Sequence, residues 1–137
     1  MTASAKGPGT GQAPLFSVLL ADDDELNLDV VTRMLARIGG AVEAVGNGED
    51  AVARALAAVE GGKPFDLVIL DLGMPLLGGR EAARRIADRA PGALIVALTG
   101  SEEDAALYEA GFSGFLQKPI TIQALKESLA RWLPALR

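Results

Sequence analysis

The feature that most constrains the fold of this chain is a repeated change in the period of its apolar residues. Short runs without polar alternation recur along the chain, and apolar residues at helical spacing lie between them. Runs of this length fit strands that are buried on both faces, as in a parallel sheet. The predicted strands cover residues 15–21, 41–45, 66–70, 93–98 and 112–116, the second and fifth being the weakest. The predicted helices cover residues 26–38, 49–59, 80–89, 101–109 and 121–133.

The helices are predicted to bury one apolar stripe each. In the second helix the stripe is formed by Val52, Leu56 and Val59, and a pair of glycines stops the helix soon after. In the last helix the apolar residues at helical spacing are Ile122, Leu125, Leu129 and Trp132. We interpret the stripe of the last helix as core packing.

Strand and helix alternate five times, which indicates an α/β fold with a doubly wound parallel sheet, right-handed crossovers and helices on both faces. The chain has 137 residues, of which half are apolar and only 4% aromatic, so we expect one domain with a core of Leu, Val, Ile and Ala. This domain is predicted to cover residues 15–137. Residues 1–14, rich in Gly, Ala, Ser, Thr and Pro, are predicted to form a flexible N-terminal leader.

Charge and composition exclude several classes of function. A net charge of −5 and a pI of about 4.7 argue against nucleic-acid and direct membrane contact, which need clustered Lys and Arg. The chain has no cysteine and no histidine, so thiolate and imidazole metal sites are excluded. Neither a membrane-spanning apolar stretch nor the apolar core of a signal peptide is present, and we expect a cytoplasmic location.

Polar side chains follow four of the five predicted strands. In a parallel sheet of this kind, ligands bind at the carboxyl ends of the strands, near the point where the strand order reverses. These residues are Asp22, Asp23 and Asp24 after the first strand, Asp71 after the third, Thr99 after the fourth and Lys118 after the fifth.

Their chemistry suits phosphoryl transfer. Crowded carboxylates repel one another, but they become favourable ligands when a hard cation such as Mg²⁺ lies among them. The transfer needs an in-line nucleophile, a metal ion and a fixed positive charge. On this interpretation Asp71 is the nucleophile, Asp22 and Asp23 hold the metal, Lys118 supplies the charge and Thr99 donates a hydroxyl hydrogen bond.

The same residues lie in segments that resemble the receiver domain of two-component response regulators. The resemblance extends over about residues 16–133 and rests on four segments in family order and spacing. They are VLLADDDELN (18–27), LVILDLGMP (67–75), ALTG (97–100) and FLQKP (115–119). It implies a (βα)5 flavodoxin-like fold with the strand order 2-1-3-4-5.

The resemblance also implies roles for individual residues. Asp71 corresponds to the phosphoacceptor, Asp22 and Asp23 to the acidic pair, and Gly73 to the residue whose backbone carbonyl binds the metal. The metal is expected to be Mg²⁺, with Mn²⁺ as a possible substitute.

The remaining implied roles concern the switch. Thr99 and Gly100 correspond to the switch hydroxyl and its small neighbour, Lys118 to the phosphate-binding lysine, and Phe115 to the aromatic switch position. The bond between Lys118 and Pro119 is a candidate cis peptide.

A receiver domain takes its phosphate from a partner, here expected to be a histidine kinase or a histidine phosphotransfer protein. Since the chain has no histidine, the phosphohistidine must come from outside. By resemblance, Asn27, Val30, Pro119 and Ile120 flank the site and are candidates for the docking surface. We expect a change in the face formed by the fourth helix, the fifth strand and the fifth helix. We expect no output domain, and a monomer or weak dimer.

The acidic residues also have simpler explanations, and two other functions share part of the pattern. Taken singly, the acidic run could cap the first helix, as Asp24 is expected to do, and Asp71 could be a turn residue. An aspartyl-phosphate phosphatase of haloacid-dehalogenase type shares the Asp-x-Asp form of residues 22–24. It would need a late acidic pair, however, and none of that kind follows Lys118. A pseudo-receiver that serves only as an interaction module is the other alternative, although such a protein is expected to have lost at least one key residue.

Overall fold

The computed structural model describes residues 13–100 and 110–134. The strands are β1 (Phe16–Ala21), β2 (Gly40–Val45), β3 (Leu67–Asp71), β4 (Ile95–Thr99) and β5 (Gly114–Gln117). The helices are α1 (Glu25–Arg37), α2 (Gly48–Glu60), α3 (Gly79–Arg89) and α4 (Ile122–Trp132). The helix predicted over residues 101–109 and most of the predicted leader lie outside the described residues.

The strands form one parallel sheet in the order β2-β1-β3-β4-β5, which confirms the predicted fold class and strand order. The predicted strand ends were wrong at two functional positions. Asp71 pairs with Leu98, and Thr99 pairs with Gln117, so both polar residues are the last members of their strands and do not follow them. The reason is that a ladder is held by backbone groups, which continue to pair where the side chain becomes polar.

The helices cover both faces of the sheet, and the strand side chains alternate between two cores. In β1, for example, Leu19 and Ala21 join the core beneath α2 and α3, whereas Val18 and Leu20 join the core beneath α1 and α4. We call these the α2–α3 core and the α1–α4 core. Burial on both faces explains why the strands have no polar alternation in the sequence. Within residues 13–100 and 110–134, no helix is long and apolar enough to cross a membrane.

The apolar residues predicted on one side of α2 are not its most buried ones, although Val52 packs against the α2–α3 core. The buried residues of this helix are Gly48, Ala51 and Ala55, whereas Val59 is 38% exposed. Small residues face the core because α2 begins very close to the backbone of the segment that follows β3. A Cβ atom on Gly48 would lie only 2.0 Å from the carbonyl oxygen of Leu77.

A second glycine allows another close backbone contact, between the start of α3 and the end of β3. Gly79 is the first residue of α3, and a Cβ atom on it would lie 2.3 Å from the carbonyl oxygen of Asp71. Close approach of two backbones of this kind requires glycine. The first turn of α2 therefore packs directly against the loop between β3 and α3, at Leu77. The first turn of α3 packs against the end of β3, at Asp71.

Candidate functional site

Three carboxylates meet at the carboxyl ends of β1 and β3. Asp22 and Asp23 directly follow β1, Asp71 ends β3, and each offers an oxygen within 4.8 Å of the others. Asp22 and Asp71 are buried, at 1% and 6% exposure, and Asp23 is exposed to solvent. The chain leaves β1 toward β2 on one side, and β3 lies on the other, so the cluster is at the point where the strand order reverses.

Lys118 supplies the positive charge of the cluster. Its Nζ lies 2.7 Å from Asp71 Oδ1 and 3.6 Å from Asp22 Oδ2. Partial burial lowers the pKa of Lys118, but the hydrogen bonds and charges of Asp71 and Asp22 together outweigh this effect and raise its pKa. Lys118 is therefore a permanent cation at neutral pH, shared between two buried acids.

The backbone around Lys118 is held in place on both sides. Its N–H donates to the carbonyl oxygen of Thr99 over 2.7 Å, which ties the residue after β5 to the end of β4. The following bond, Lys118–Pro119, is cis, as the resemblance implied.

Asp71 is held through both of its carboxylate oxygens. Oδ1 faces Lys118, and Oδ2 accepts a hydrogen bond of 3.2 Å from the backbone N–H of Gly73. Gly73 is thus at the site, as predicted. Its predicted role as a metal ligand through its carbonyl oxygen stays a prediction.

The loop beyond Gly73 contains a tight turn. Leu76 has a φ of 67°, and the N–H of Leu77 donates to the carbonyl oxygen of Pro75 over 2.7 Å. A three-residue turn of this hand is rare and strained for a leucine. The turn leaves the Leu76 side chain 79% exposed, while Leu77 is packed in the α2–α3 core.

Thr99 and Phe115 share one face of the sheet. Thr99 is buried at the end of β4, two residues beyond Ala97, which pairs with Phe115 of β5. Phe115 is half-buried and packs against the α2–α3 core, of which Ala97 is a member. Alternation along β4 places Thr99 on the same face as Ala97. Gly100 is exposed immediately after Thr99.

Asn27 has a role that the sequence did not indicate. Its side-chain Nδ2 donates a hydrogen bond to Asp22 Oδ2, whereas the resemblance suggested only that it flanks a docking surface. Asp24 caps α1, as expected, and its carboxylate accepts from the N–H groups of Leu26 and Asn27. The one available signal was position, because a residue in the first turn of α1 lies beside the end of β1.

The other candidate docking residues divide into two groups. Val30 is 41% exposed on α1, and Pro119 is exposed beside Lys118. Ile120 is only 9% exposed and belongs to the α1–α4 core, so its burial does not support a part in a docking surface. An isoleucine that directly follows a site residue and precedes a helix packs inward when the helix covers the sheet.

The acidic cluster fits a magnesium ion. Each of the three carboxylates offers an oxygen within 4.8 Å of the others, so an ion with Mg–O distances of about 2.1 Å could contact all three after the side chains rotate toward it. All donors are oxygen atoms of carboxylates, which this hard cation prefers over softer metals. Of the described residues, Asp22, Asp23 and Asp71 are the set that could hold it.

Comparison with known proteins gives the same picture as the geometry. Residues 18–130 match the family model described as the response regulator receiver domain. The two-component response regulator ORR41 of Oryza sativa subsp. japonica is 36% identical over 123 residues, which cover 86% of this chain and 94% of that protein. Hybrid signal transduction histidine kinase L of Dictyostelium discoideum is 30% identical over 126 residues, but this chain spans only 7% of its length.

A solved structure with the same fold contains the metal. The receiver domain of sensor histidine kinase PA1611 from Pseudomonas aeruginosa PAO1 has a magnesium ion coordinated in its active site cleft. It is 28% identical to this chain, with a TM-score of 0.76, and the alignment covers 87% of this chain and 98% of that one. The family model matches most of this chain, and the acids, the lysine and the threonine lie at the strand ends. The chain therefore belongs to the response regulator receiver domain family of two-component signalling.

Proposed function

We propose that the chain accepts a phosphoryl group on Asp71 from the phosphohistidine of a histidine kinase or histidine phosphotransfer protein. The observation that carries this proposal is the arrangement around Asp71. Two further acids offer oxygens within 4.8 Å of it, and a lysine ammonium lies 2.7 Å from its Oδ1. A nucleophile, a metal site and a fixed positive charge are thereby within reach of one phosphoryl group.

In the transfer, an oxygen of Asp71 forms a bond to phosphorus while the bond between phosphorus and the donor's imidazole nitrogen breaks. Asp22, Asp23, Asp71 and the carbonyl oxygen of Gly73 would hold Mg²⁺, or Mn²⁺ in its place. The ion supplies neutralisation of the phosphoryl charge. Lys118 already contacts Asp71 Oδ1, so a small movement carries its ammonium to a phosphoryl oxygen.

Phosphorylation then changes the positions of the Thr99 and Phe115 side chains. The Thr99 hydroxyl donates to a phosphoryl oxygen, and Phe115, half-buried on the same face, turns inward. This shifts the population of two states of the face that includes β5 and α4. Gly100, which has no side chain, leaves the phosphoryl group open to water.

The donor's docking surface is proposed to lie on α1 beside the site. Leu26 and Val30 are 73% and 41% exposed on the helix whose Asn27 contacts Asp22, and they offer a partner apolar area beside the site. Pro119, which follows Lys118 in the chain, is also exposed.

The rival functions have less support. A pseudo-receiver would lack part of the site, yet the acids, Thr99 and Lys118 are all present. A phosphatase of haloacid-dehalogenase type would need a pair of acids after Lys118, but the sequence has a single acid there, Glu127, which is an exposed residue of α4.

The proposal is tested with acetyl phosphate and with beryllofluoride in the presence of Mg²⁺. We expect one phosphoryl group per chain by intact-protein mass spectrometry, and Mg²⁺-dependent binding of beryllofluoride by NMR, both lost in Asp71→Asn. The matched control is Asp66→Asn. Asp66 directly precedes β3, at the other end of the strand, where it binds the N–H of Ser17. If wild type stays unlabelled with both reagents, or Asp71→Asn is labelled to the same extent, Asp71 is not the phosphoacceptor.

A further inference from the structure

Asn27 is a polar side chain of the site that has no part in the proposed phosphoryl transfer. It is half-buried in the first turn of α1, and its Nδ2 donates to Oδ2 of Asp22. The side chain of Asp22 is 0% exposed. A carboxylate that is removed from water in this way needs donors for both oxygens, because the desolvated charge is otherwise costly.

Three residues close a ring of hydrogen bonds around that carboxylate. Asp22 Oδ1 accepts from the backbone N–H of Asp24 over 3.0 Å, and Asp24 Oδ1 accepts from the N–H of Asn27 over 3.3 Å. The side chain of Asn27 returns to Asp22 Oδ2 and completes the ring. Both oxygens of Asp22 are therefore oriented by the same helical turn, and the plane of its carboxylate is fixed relative to α1.

The ring also determines how Lys118 is shared. Its Nζ is 2.7 Å from Asp71 Oδ1 but 3.6 Å from Asp22 Oδ2, so Lys118 is paired mainly with Asp71. Because the Asn27 amide already occupies Asp22 Oδ2, the lysine is not required there. Without the amide, the Lys118 ammonium, which is 3.6 Å away, would move toward that oxygen and place a positive charge where the metal must bind.

We propose that Asn27 is a positioning residue, which holds Asp22 in the orientation that binds Mg²⁺ and keeps Lys118 on Asp71. The inference rests on the proposed function in that Asp22 is taken as part of the magnesium site. It gives Asn27 a role within the chain instead of a role in partner docking. Groups that orient a metal ligand from behind typically change metal affinity by about 10- to 100-fold when they are removed.

The test is isothermal titration of the whole chain with MgCl₂, comparing wild type with Asn27→Ala. We expect the dissociation constant for Mg²⁺ to rise by about 10-fold. The substitution raises helix propensity at this position of α1, so folding in EDTA should persist. Asn27→Leu is measured in parallel, since it also lacks the donor and favours the helix.

The matched control is Asn47→Ala. Asn47 caps α2, where its side chain accepts from the N–H of Asp50 over 2.8 Å and donates to the carboxylate of the same residue, not to an acid of the cluster. Its loss should lower stability in EDTA by about 1 kcal/mol, the usual effect of removing a cap, without changing the affinity for Mg²⁺. If Asn27 had only a structural role, Asn27→Ala would behave like Asn47→Ala and keep the wild-type affinity for Mg²⁺.

A kinetic measurement separates positioning from docking. Acetyl phosphate needs no docking surface, so the rate of labelling by it should fall in Asn27→Ala at low Mg²⁺ and return to the wild-type rate at saturating Mg²⁺. The inference is overturned if wild type and both Asn27 variants bind Mg²⁺ equally, or if only transfer from a protein donor is slowed. The proposed function survives either result. If wild type itself binds no Mg²⁺, the metal site of the proposed function fails, and this inference fails with it.

Discussion

Replacing Lys118 by methionine removes the ammonium that two buried acids share while keeping an unbranched side chain of similar length. In the wild-type chain the Nζ is 2.7 Å from Asp71 and 3.6 Å from Asp22, whose side chains are 9% and 0% exposed. The variant leaves these carboxylates, together with the neighbouring Asp23, without the cation that balances them in the absence of metal.

The size of the effect follows from the burial of the partners. Removing one member of a fully buried ion pair costs about 3–5 kcal/mol, because the other charge is left uncompensated. The side chain of Lys118 is itself 30% exposed, so water screens part of the interaction. We therefore expect Lys118→Met to lower the free energy of unfolding by about 2–3 kcal/mol in EDTA.

Magnesium should reverse most of this loss. The ion takes over the neutralisation of Asp22, Asp23 and Asp71, and the variant no longer has an ammonium that competes for them. Ligand that binds only the folded state stabilises it in proportion to the logarithm of its concentration over the dissociation constant. The difference between wild type and Lys118→Met should shrink to below about 1 kcal/mol in saturating Mg²⁺.

Urea unfolding followed by far-UV circular dichroism, in EDTA and in Mg²⁺, measures both quantities. Lys63→Met is the control, since Lys63 is exposed in the turn after α2 and its loss should change stability by less than about 0.5 kcal/mol. The reasoning is refuted if Lys118→Met unfolds with the wild-type midpoint in EDTA, or if its deficit is the same with and without Mg²⁺.

Two further predictions concern the segment after β3 and the surface of α1. Gly79→Ala should lower the free energy of unfolding by about 1–3 kcal/mol, because its Cβ would lie 2.3 Å from the carbonyl oxygen of Asp71. Gly46→Ala, with nothing within 4 Å of the added Cβ, should be nearly neutral, and equal urea midpoints for the two variants would contradict the contact. Val30→Asp should slow transfer from the cognate phosphohistidine donor at least about 10-fold by removing apolar docking area, with labelling by acetyl phosphate unchanged. Val59→Asp on α2, similarly exposed at 38%, is its control, and an unchanged transfer rate for Val30→Asp would remove α1 from the docking surface.

The strands and their order were predictable because a strand that is buried on both faces is an uninterrupted apolar run in the sequence. A strand such as β3 has no polar residue before Asp71, and the alternation of strands with helices then restricts the topology. The limits of β3 and β4 were less predictable. Backbone pairing carries the ladder through Asp71 and Thr99, although these side chains are polar.

Features that depend on contact between distant backbones were not predictable from spacing. The small residues of α2 face inward because Gly48 approaches Leu77, and no periodicity in α2 indicates where that loop lies. The burial of Ile120 likewise depends on how α4 covers the sheet. The bond from Asn27 to Asp22 needs the geometry of a complete helical turn, of which the sequence shows only the cap residue, Asp24.

The register of β4 and β5 determines the distance between Thr99, at the site, and Phe115, on the last strand of the sheet. Ala97 stands opposite Phe115, and Thr99 is one strand repeat further along the same face. One repeat along a strand and one step across to its neighbour place the backbones of Thr99 and Phe115 about 8 Å apart. A single methyl group, that of Ala97, lies beside this route, and β5 is the last strand of the sheet. Under the proposed function, the path from the phosphorylated aspartate to this edge runs through Thr99 and Phe115, so substitutions on the surface beyond β5 would suit a different partner while the acids at the site stay the same.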